Sequence, residues 1–302
     1  MSETAVTNDL DTLLDWKGRS ESSTDVISAA NCRKLQDTLD LDHATISDGD
    51  VLPPLWHFIG HIGSVPMHRV GPDGHPKRGG FLPPVALPRR MWAAGRVRFA
   101  GDLHVGDEVV KTSTIENVAI KEGRSGTLCF VTVRHDLTVG GDLRISEEQD
   151  LVYRDHPDPD ALTPEPKPAP TEAAFSRTIT PNEVLLFRYS ALTFNGHRIH
   201  YDRPYAQAVE GYPDLVVHGP LTATLLADLA AGETGRQLAS FSFRAMSPLF
   251  VTDPFTISGS VGSSESGERG DTGDTGDTGD TVELWATTPS GGLAMKATAE
   301  LR

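Results

Sequence analysis

Between Leu192 and Ala206 the chain reads LTFNGHRIHYDRPYA, which crowds Asn195, His197, Arg198, His200, Tyr201, Asp202 and Arg203 together. Three kinds of chemistry fit such a segment. Imidazole changes charge near neutral pH, so a histidine beside an amide and a carboxylate can move protons. The His-x-x-His spacing of His197 and His200 would put both rings on one face of a helix, where Asp202 could join them around a metal ion. No third histidine stands at a zinc-like distance, however, and no cysteine is near. A solvated loop is the third possibility. Leu192, Phe194, Ile199 and Tyr205 are interleaved with the polar residues and argue instead for a packed segment.

The elements that must position this segment read as two echoing halves. RVRFAGDLHVGDEVV, KTSTIENVAI and GTLCFVTVRHDLTVGGDLRISEEQDLVYR in the first half correspond to FSFRAMSPLFVTDPFTISGSV and DTVELWATTPSGGLAMKATAELR in the second. Each half has a short strand, a turn at Asp107 or Asp253, a longer strand, and a hairpin turning at paired glycines (Gly140-Gly141, Gly291-Gly292). Alternation in LCFVTVRH and VELWATT suits strands with one wet face. Ahead of the second set lies a helix, GPLTATLLADLAAGET. Pro220 sits at its start, Leu221, Leu225 and Leu229 form one stripe, and Gly232 is placed to end it. In the first half LPRRMWAAG holds the corresponding place, with SAANCRKLQDTLDL as an earlier helix. A helix lying across a strongly curved antiparallel sheet is the hot-dog architecture. The expected fold is therefore α+β, a double hot dog. Its units are 1–155 and 175–302, joined by a Pro-rich linker at 156–174. The Gly-Asp-Thr repeats at 263–280 cannot bury apolar surface and are expected to form a disordered acidic loop. Their period of three, with no closing Glu, does not suit a calcium loop.

Composition narrows the function. The 302 residues carry a net charge of −15, which disfavours nucleic acid as a partner. No stretch approaches the ~20 apolar residues of a membrane helix, and the N-terminus has no signal-peptide pattern. Two distant cysteines, Cys32 and Cys129, give neither a disulfide framework nor a zinc pattern, and a reducing cytoplasm is the natural setting. An acidic protein that binds an anion must gather cations locally. Its densest cluster is LPRRMWAAGRVRF, so Arg89 and Arg90 are candidate substrate-binding residues, with a solvated basic edge as the alternative. His57, His61, His68 and His75 lie among glycines and prolines at irregular spacing. They suit a long loop over a substrate groove better than a metal site.

FRYSALTFNGHRIHYDRPYA followed by GYPDLVVHGPLTATLLADL resembles the second domain of the MaoC-like acyl-thioester hydratases and dehydratases. The hydratase motif falls on Thr193, Phe194, Asn195, Gly196, His197, Arg198, Ile199 and His200. Within the family, FN.HRIHYD resembles the branch of mesaconyl-C4-CoA hydratases, itaconyl-CoA hydratases and the mitochondrial type 2 dehydratase. The resemblance implies a lyase that needs no cofactor and no metal. It implies hydration of an α,β-unsaturated CoA thioester, best mesaconyl-C4-CoA (3-methylfumaryl-CoA) to citramalyl-CoA. Itaconyl-CoA hydration, fatty-acyl dehydration, a hot-dog thioesterase and a non-catalytic acyl-CoA-binding module are the alternatives. His200 takes the place of the family's base, and Gly219, at the start of the main helix, that of the oxyanion donor. Where the family usually has a carboxylate this chain has Asn195, which can orient water or substrate but cannot exchange protons. Asp202 is the carboxylate close in sequence that could replace it. His197, Arg198, Tyr201 and His218 are expected around the substrate, and Arg198 or Arg188 could meet a substrate carboxylate. No Asn/His pair like 195/200 recurs in the first half, so one site per chain is expected, the first unit only shaping the acyl pocket. Monomer and homodimer are both open.

Overall fold

The structure, a computed structural model, describes residues 6–41, 44–123, 126–156, 165–262 and 280–302. A short helix α1 (Leu10–Leu14) precedes β1 (Ser20–Val26) and α2 (Ala29–Thr38). Four long strands follow: β2 (Arg89–Phe99), β3 (Glu108–Gly123), β4 (Gly126–Val139) and β5 (Asp142–Arg154). The second half repeats the plan. It has β6 (Phe175–Ile179), then α3 (Glu183–Thr193), α4 (Arg203–Ala208) and α5 (Gly219–Thr234), then β7 (Leu238–Ala245), β8 (Phe255–Gly262), β9 (Thr281–Thr287) and β10 (Leu293–Leu301).

Among the described residues these strands join one 10-stranded sheet in the order β1-β3-β4-β5-β2-β7-β10-β9-β8-β6. Read outward from its centre, the order is the same in both directions. Each half is a five-stranded unit, and the two meet edge to edge where β2 pairs antiparallel with β7. That pairing removes the free edge each unit would otherwise expose. This is the α+β double hot dog expected from the repeat. The glycine turns are where the pattern placed them. Gly140 and Gly141 have φ of 59° and 94°, which a two-residue hairpin with a primed turn requires. The end of the Pro-rich linker is docked, because Leu293 N donates to Lys167 O and Ala169 N to Gly291 O. The acidic repeats expected as a disordered loop at 263–280 lie outside the described residues up to Asp280, which pairs with Arg236.

Helix α5 packs against β6 to β10. Its residues are buried on nearly every side, Leu221, Ala223, Leu226, Ala227 and Ala230 completely. The single stripe expected from Leu221, Leu225 and Leu229 is therefore only part of its buried surface, as befits a helix enclosed by a curved sheet. It runs through Gly232 and stops at Gly235, whose φ of 64° lets its N–H cap Ala231 O.

One expectation is overturned. LPRRMWAAG is not the first unit's helix but the start of β2, which leaves α2 as the main helix there. Alanine-rich composition favours a helix, but here strand pairing on both edges wins. Gly95 leaves room for the Phe243 ring, which an added Cβ would approach to 2.5 Å. Arg96 spans to Glu148 (2.8 Å) and Asp150 (2.7 Å) on the neighbouring β5. Among the described residues no helix is long and apolar enough to cross a membrane.

Candidate active site

The segment 194–202 is a tight connection between α3 and α4. Helix α3 ends on Phe194 in the left-handed region (φ 49°), and Asn195 N closes the end on Ser190 O at 2.8 Å. Asn195 Oδ1 then accepts from His197 N at 3.0 Å, a local turn that short amides make readily. One turn of 3-10 helix, Arg198–His200, follows. Leu192, Ile199 and Tyr205 are buried, as interleaving suggested, whereas Phe194 is 64% exposed. The turn leaves the left-handed phenylalanine pointing outward.

His200 is held from both sides. Its Nδ1 lies 2.7 Å from Val216 O. A carbonyl can only accept, so Nδ1 carries the hydrogen and Nε2 presents a lone pair. Burial lowers the ring's pKa to about 4, against the opposing pull of the Val216 carbonyl, so the ring is neutral near pH 7. Its face stacks on His218, centroids 3.6 Å apart and planes within 19°. His218 is fully buried, its Nε2 lies 2.8 Å from Ser190 Oγ, and burial pushes its pKa well down. Tyr189 packs edge-on against His218 at 5.0 Å.

Next to His218, Gly219 opens α5. As the first helical residue its N–H has no acceptor within the helix, and the helix adds partial positive charge there. The space beside it is open: an added Cβ would meet no atom within 4 Å. The His200 ring thus stacks on the residue that precedes the free Gly219 N–H, which brings an imidazole lone pair and an N–H donor into one neighbourhood.

The other expected residues divide. Asp202 does not reach His200. It binds the Arg198 guanidinium at 2.7 and 2.9 Å and caps α4 through Tyr205 N. Two residues past the 3-10 turn the chain is already starting the next helix, and Asp202 serves as its cap. Arg198 is itself committed to Asp202 and Pro72 O, with its guanidinium 4.1 Å over the Tyr205 ring. Tyr201 is exposed and donates to Gly196 O. Arg89, expected at the substrate, is buried and paired with Glu210 at 2.8 Å. It fastens the first unit to the second instead. Arg188 lies exposed on α3, in a groove of about 400 Å³ shared with Lys34. The four histidines of the first unit disperse. His57 lies against Glu147 at 3.2 Å, His61 against Ser23, and His68 is exposed.

His75 arrives at the site. The loop 71–75 crosses from the first unit, where Asp73 O accepts from Arg198 N at 3.0 Å. The His75 ring lies 4.2 Å from that of His197, which stands edge-on 5.6 Å from His200. The approach depends on two glycines. Gly74 has φ 90°, and an added Cβ there would overlap Gly196 O, while one on Gly196 would come within 2.7 Å of Gly74 O. Burial lowers the pKa of both His75 and His197, and the charge of nearby Arg90 acts on each in the same direction. The sequence placed this loop over the groove and offered His75 as one of four histidines, but did not single out Asp73, Gly74, Tyr189 or Ser190. A Pro-Asp-Gly-His turn was the available signal.

The hydroxyacyl-thioester dehydratase type 2 family matches residues 55–251. Mesaconyl-C(4)-CoA hydratase of Chloroflexus aurantiacus is 44% identical over 289 residues, covering 95% of this chain and 96% of the relative. Among solved structures, a MaoC-like dehydratase from Phytophthora capsici superposes with a TM-score of 0.65 at 13% identity, covering 97% of this chain and 99% of that one. A Mycobacterium tuberculosis protein described as a double hotdog fold does so with a TM-score of 0.55 at 15% identity, covering 95% and 96%. At such identities these structures speak for the fold alone.

Proposed function

The chain belongs to the hydroxyacyl-thioester dehydratase type 2 family, and we propose that it reversibly hydrates mesaconyl-C4-CoA to citramalyl-CoA. The observation that carries the chemistry is the pairing of a neutral His200, whose Nε2 lone pair is free, with the unbonded Gly219 N–H. Full-length similarity to the Chloroflexus hydratase supports the substrate.

In this reading His200 Nε2 takes a proton from water as the oxygen bonds to the β-carbon. The π electrons move onto the thioester oxygen, where Gly219 N–H and the α5 dipole meet the developing charge. The proton held on His200 is then available to the α-carbon, which completes the addition of water. Ser190, His218 and Val216 O keep the ring in one tautomer and orientation throughout. The second unit is the catalytic one, and Asn195 holds the turn that sets His197 rather than exchanging protons. The two buried, unpaired cysteines fit a reducing compartment, and the cytoplasm is the location we propose.

The test follows the enoyl-thioester absorbance of mesaconyl-C4-CoA together with free thiol. Loss of the chromophore without thiol release is expected, and His200→Ala should cut kcat by about 10²–10⁴ while the fold persists. Thiol release in place of hydration, or a His200→Ala enzyme with more than half its kcat, would overturn the reading.

A further inference from the structure

The hydration reading leaves open what recognises the acyl group, and this inference rests on that reading. In 3-methylfumaryl thioester the second carboxylate is bonded to the carbon that accepts water. Its oxygens therefore sit about 2.4 Å from that carbon. Whatever binds them must lie close to His200, because the base reaches that carbon through a single water.

Three of the arginines around the site are taken. Arg198 belongs to Asp202, Arg89 to Glu210, and Arg203 to Asp214 and Glu183. Two imidazoles remain. His197 is buried, and neither of its ring nitrogens has a hydrogen-bond partner among the described residues. His75 stacks tilted against it at 4.2 Å, is partly exposed, and has Asp73 Oδ2 3.4 Å from Nδ1, a long contact that leaves Nε2 free. The charge of Arg90 falls on both rings. The site thus gathers two unbonded imidazoles and the field of an arginine, with Asp73 as the carboxylate at their outer end. A bound carboxylate would accept N–H hydrogen bonds from the two rings.

We propose that His75 and His197 form the subsite for the distal carboxylate of the acyl group. The first unit then selects the substrate on which the second unit acts, and the ligand class is the CoA monothioester of a short dicarboxylic acid. The loop that brings His75 across is held by the Gly74–Gly196 contact, so the two units share one site by construction.

Titration calorimetry with two saturated thioesters tests this. One is the methylsuccinyl thioester that keeps the carboxylate, and the other is isovaleryl-CoA, in which a methyl group replaces it. The intact enzyme is expected to bind the first at least about tenfold more tightly, since a site built for a polar group discriminates strongly against its absence. His75→Ala should bring the two affinities within about threefold by weakening only the carboxylate ligand, and His75→Gln, which keeps an N–H donor, should fall between. An undiminished preference in His75→Ala, or an equal loss for both ligands, overturns the subsite. An enzyme that hydrates mesaconyl-C4-CoA but prefers neither thioester overturns the subsite alone. One that neither binds these thioesters nor hydrates mesaconyl-C4-CoA overturns the function proposed above as well.

Discussion

At His200 the decisive point is where the proton sits. The Val216 carbonyl assigns the hydrogen to Nδ1, and burial keeps the ring neutral down to a pKa of about 4. A neutral ring presenting Nε2 suits the base proposed for this site, and that role calls on no carboxylate at 195. The acidic limb of kcat/KM should therefore lie well below the ordinary histidine value. Placing a carboxylate beside the ring raises its pKa, so less of the base is neutral at a given acidic pH. Asn195→Asp should accordingly move the limb upward and lower kcat by about tenfold or more, although its Oδ1 can still accept from His197 N. Asp202→Asn keeps the helix cap and loses only the pairing with half-exposed Arg198, so an effect under about threefold is expected. Profiles of kcat/KM against pH for both variants decide the matter. An unshifted limb in Asn195→Asp, or a severe loss in Asp202→Asn, would restore a carboxylate to the mechanism.

At the scale of elements, the site exists because two loops lean on each other. The turn at 194–196 spends about 1–2 kcal/mol on a left-handed Phe194, and it is held by Ser190 O behind and the 71–75 loop in front. Gly74 meets two demands at once: a φ of 90° and contact with the Gly196 carbonyl. Gly74→Ala satisfies neither. It should push the loop off the 194–196 turn and reduce kcat/KM by about 10–100-fold, since displacements near 1 Å are costly in a preorganised site. Steady-state kinetics beside a thermal melt would check it, and a fully active, equally stable variant would show that the contact positions nothing.

Across the whole molecule the first unit is a structural partner, not a spectator. Pairing of β2 with β7 makes one sheet of two, and the buried Arg89–Glu210 ion pair bolts the strand to the segment after α4. Tyr205 OH also donates to Glu210, at 3.4 Å. Arg89→Met would leave the Glu210 charge buried without its partner. A destabilisation of about 3–5 kcal/mol is expected in denaturant melts, largely relieved in the double variant Arg89→Met/Glu210→Leu. Equal stability of Arg89→Met and the parent would mean that the pair does not join the units.

Periodicity carried the strands, the glycine hairpins and the helix at 219–234, because alternation and turn chemistry are local properties of the chain. The crowding at 192–206 marked the candidate site for the same reason, since ionisable groups set side by side are visible in residue order. Local signals also misled. MWAAG suits a helix by composition and becomes a strand only because β5 and β7 offer backbone partners on both edges. Asp202 is near His200 in sequence but is occupied elsewhere, because it caps helix α4 and binds Arg198. Arg89 looked free until Glu210, 121 residues away, came to meet it. The tautomer of His200, the stack on His218 and the arrival of His75 all depend on groups distant in sequence. The sequence by itself determined the repeat, the fold class and where the polar cluster of the candidate site lies. Only the tertiary structure decided the tautomer of His200, its partners and the share of the candidate site that comes from the other half, because burial and long-range contact are properties of packing and not of residue order.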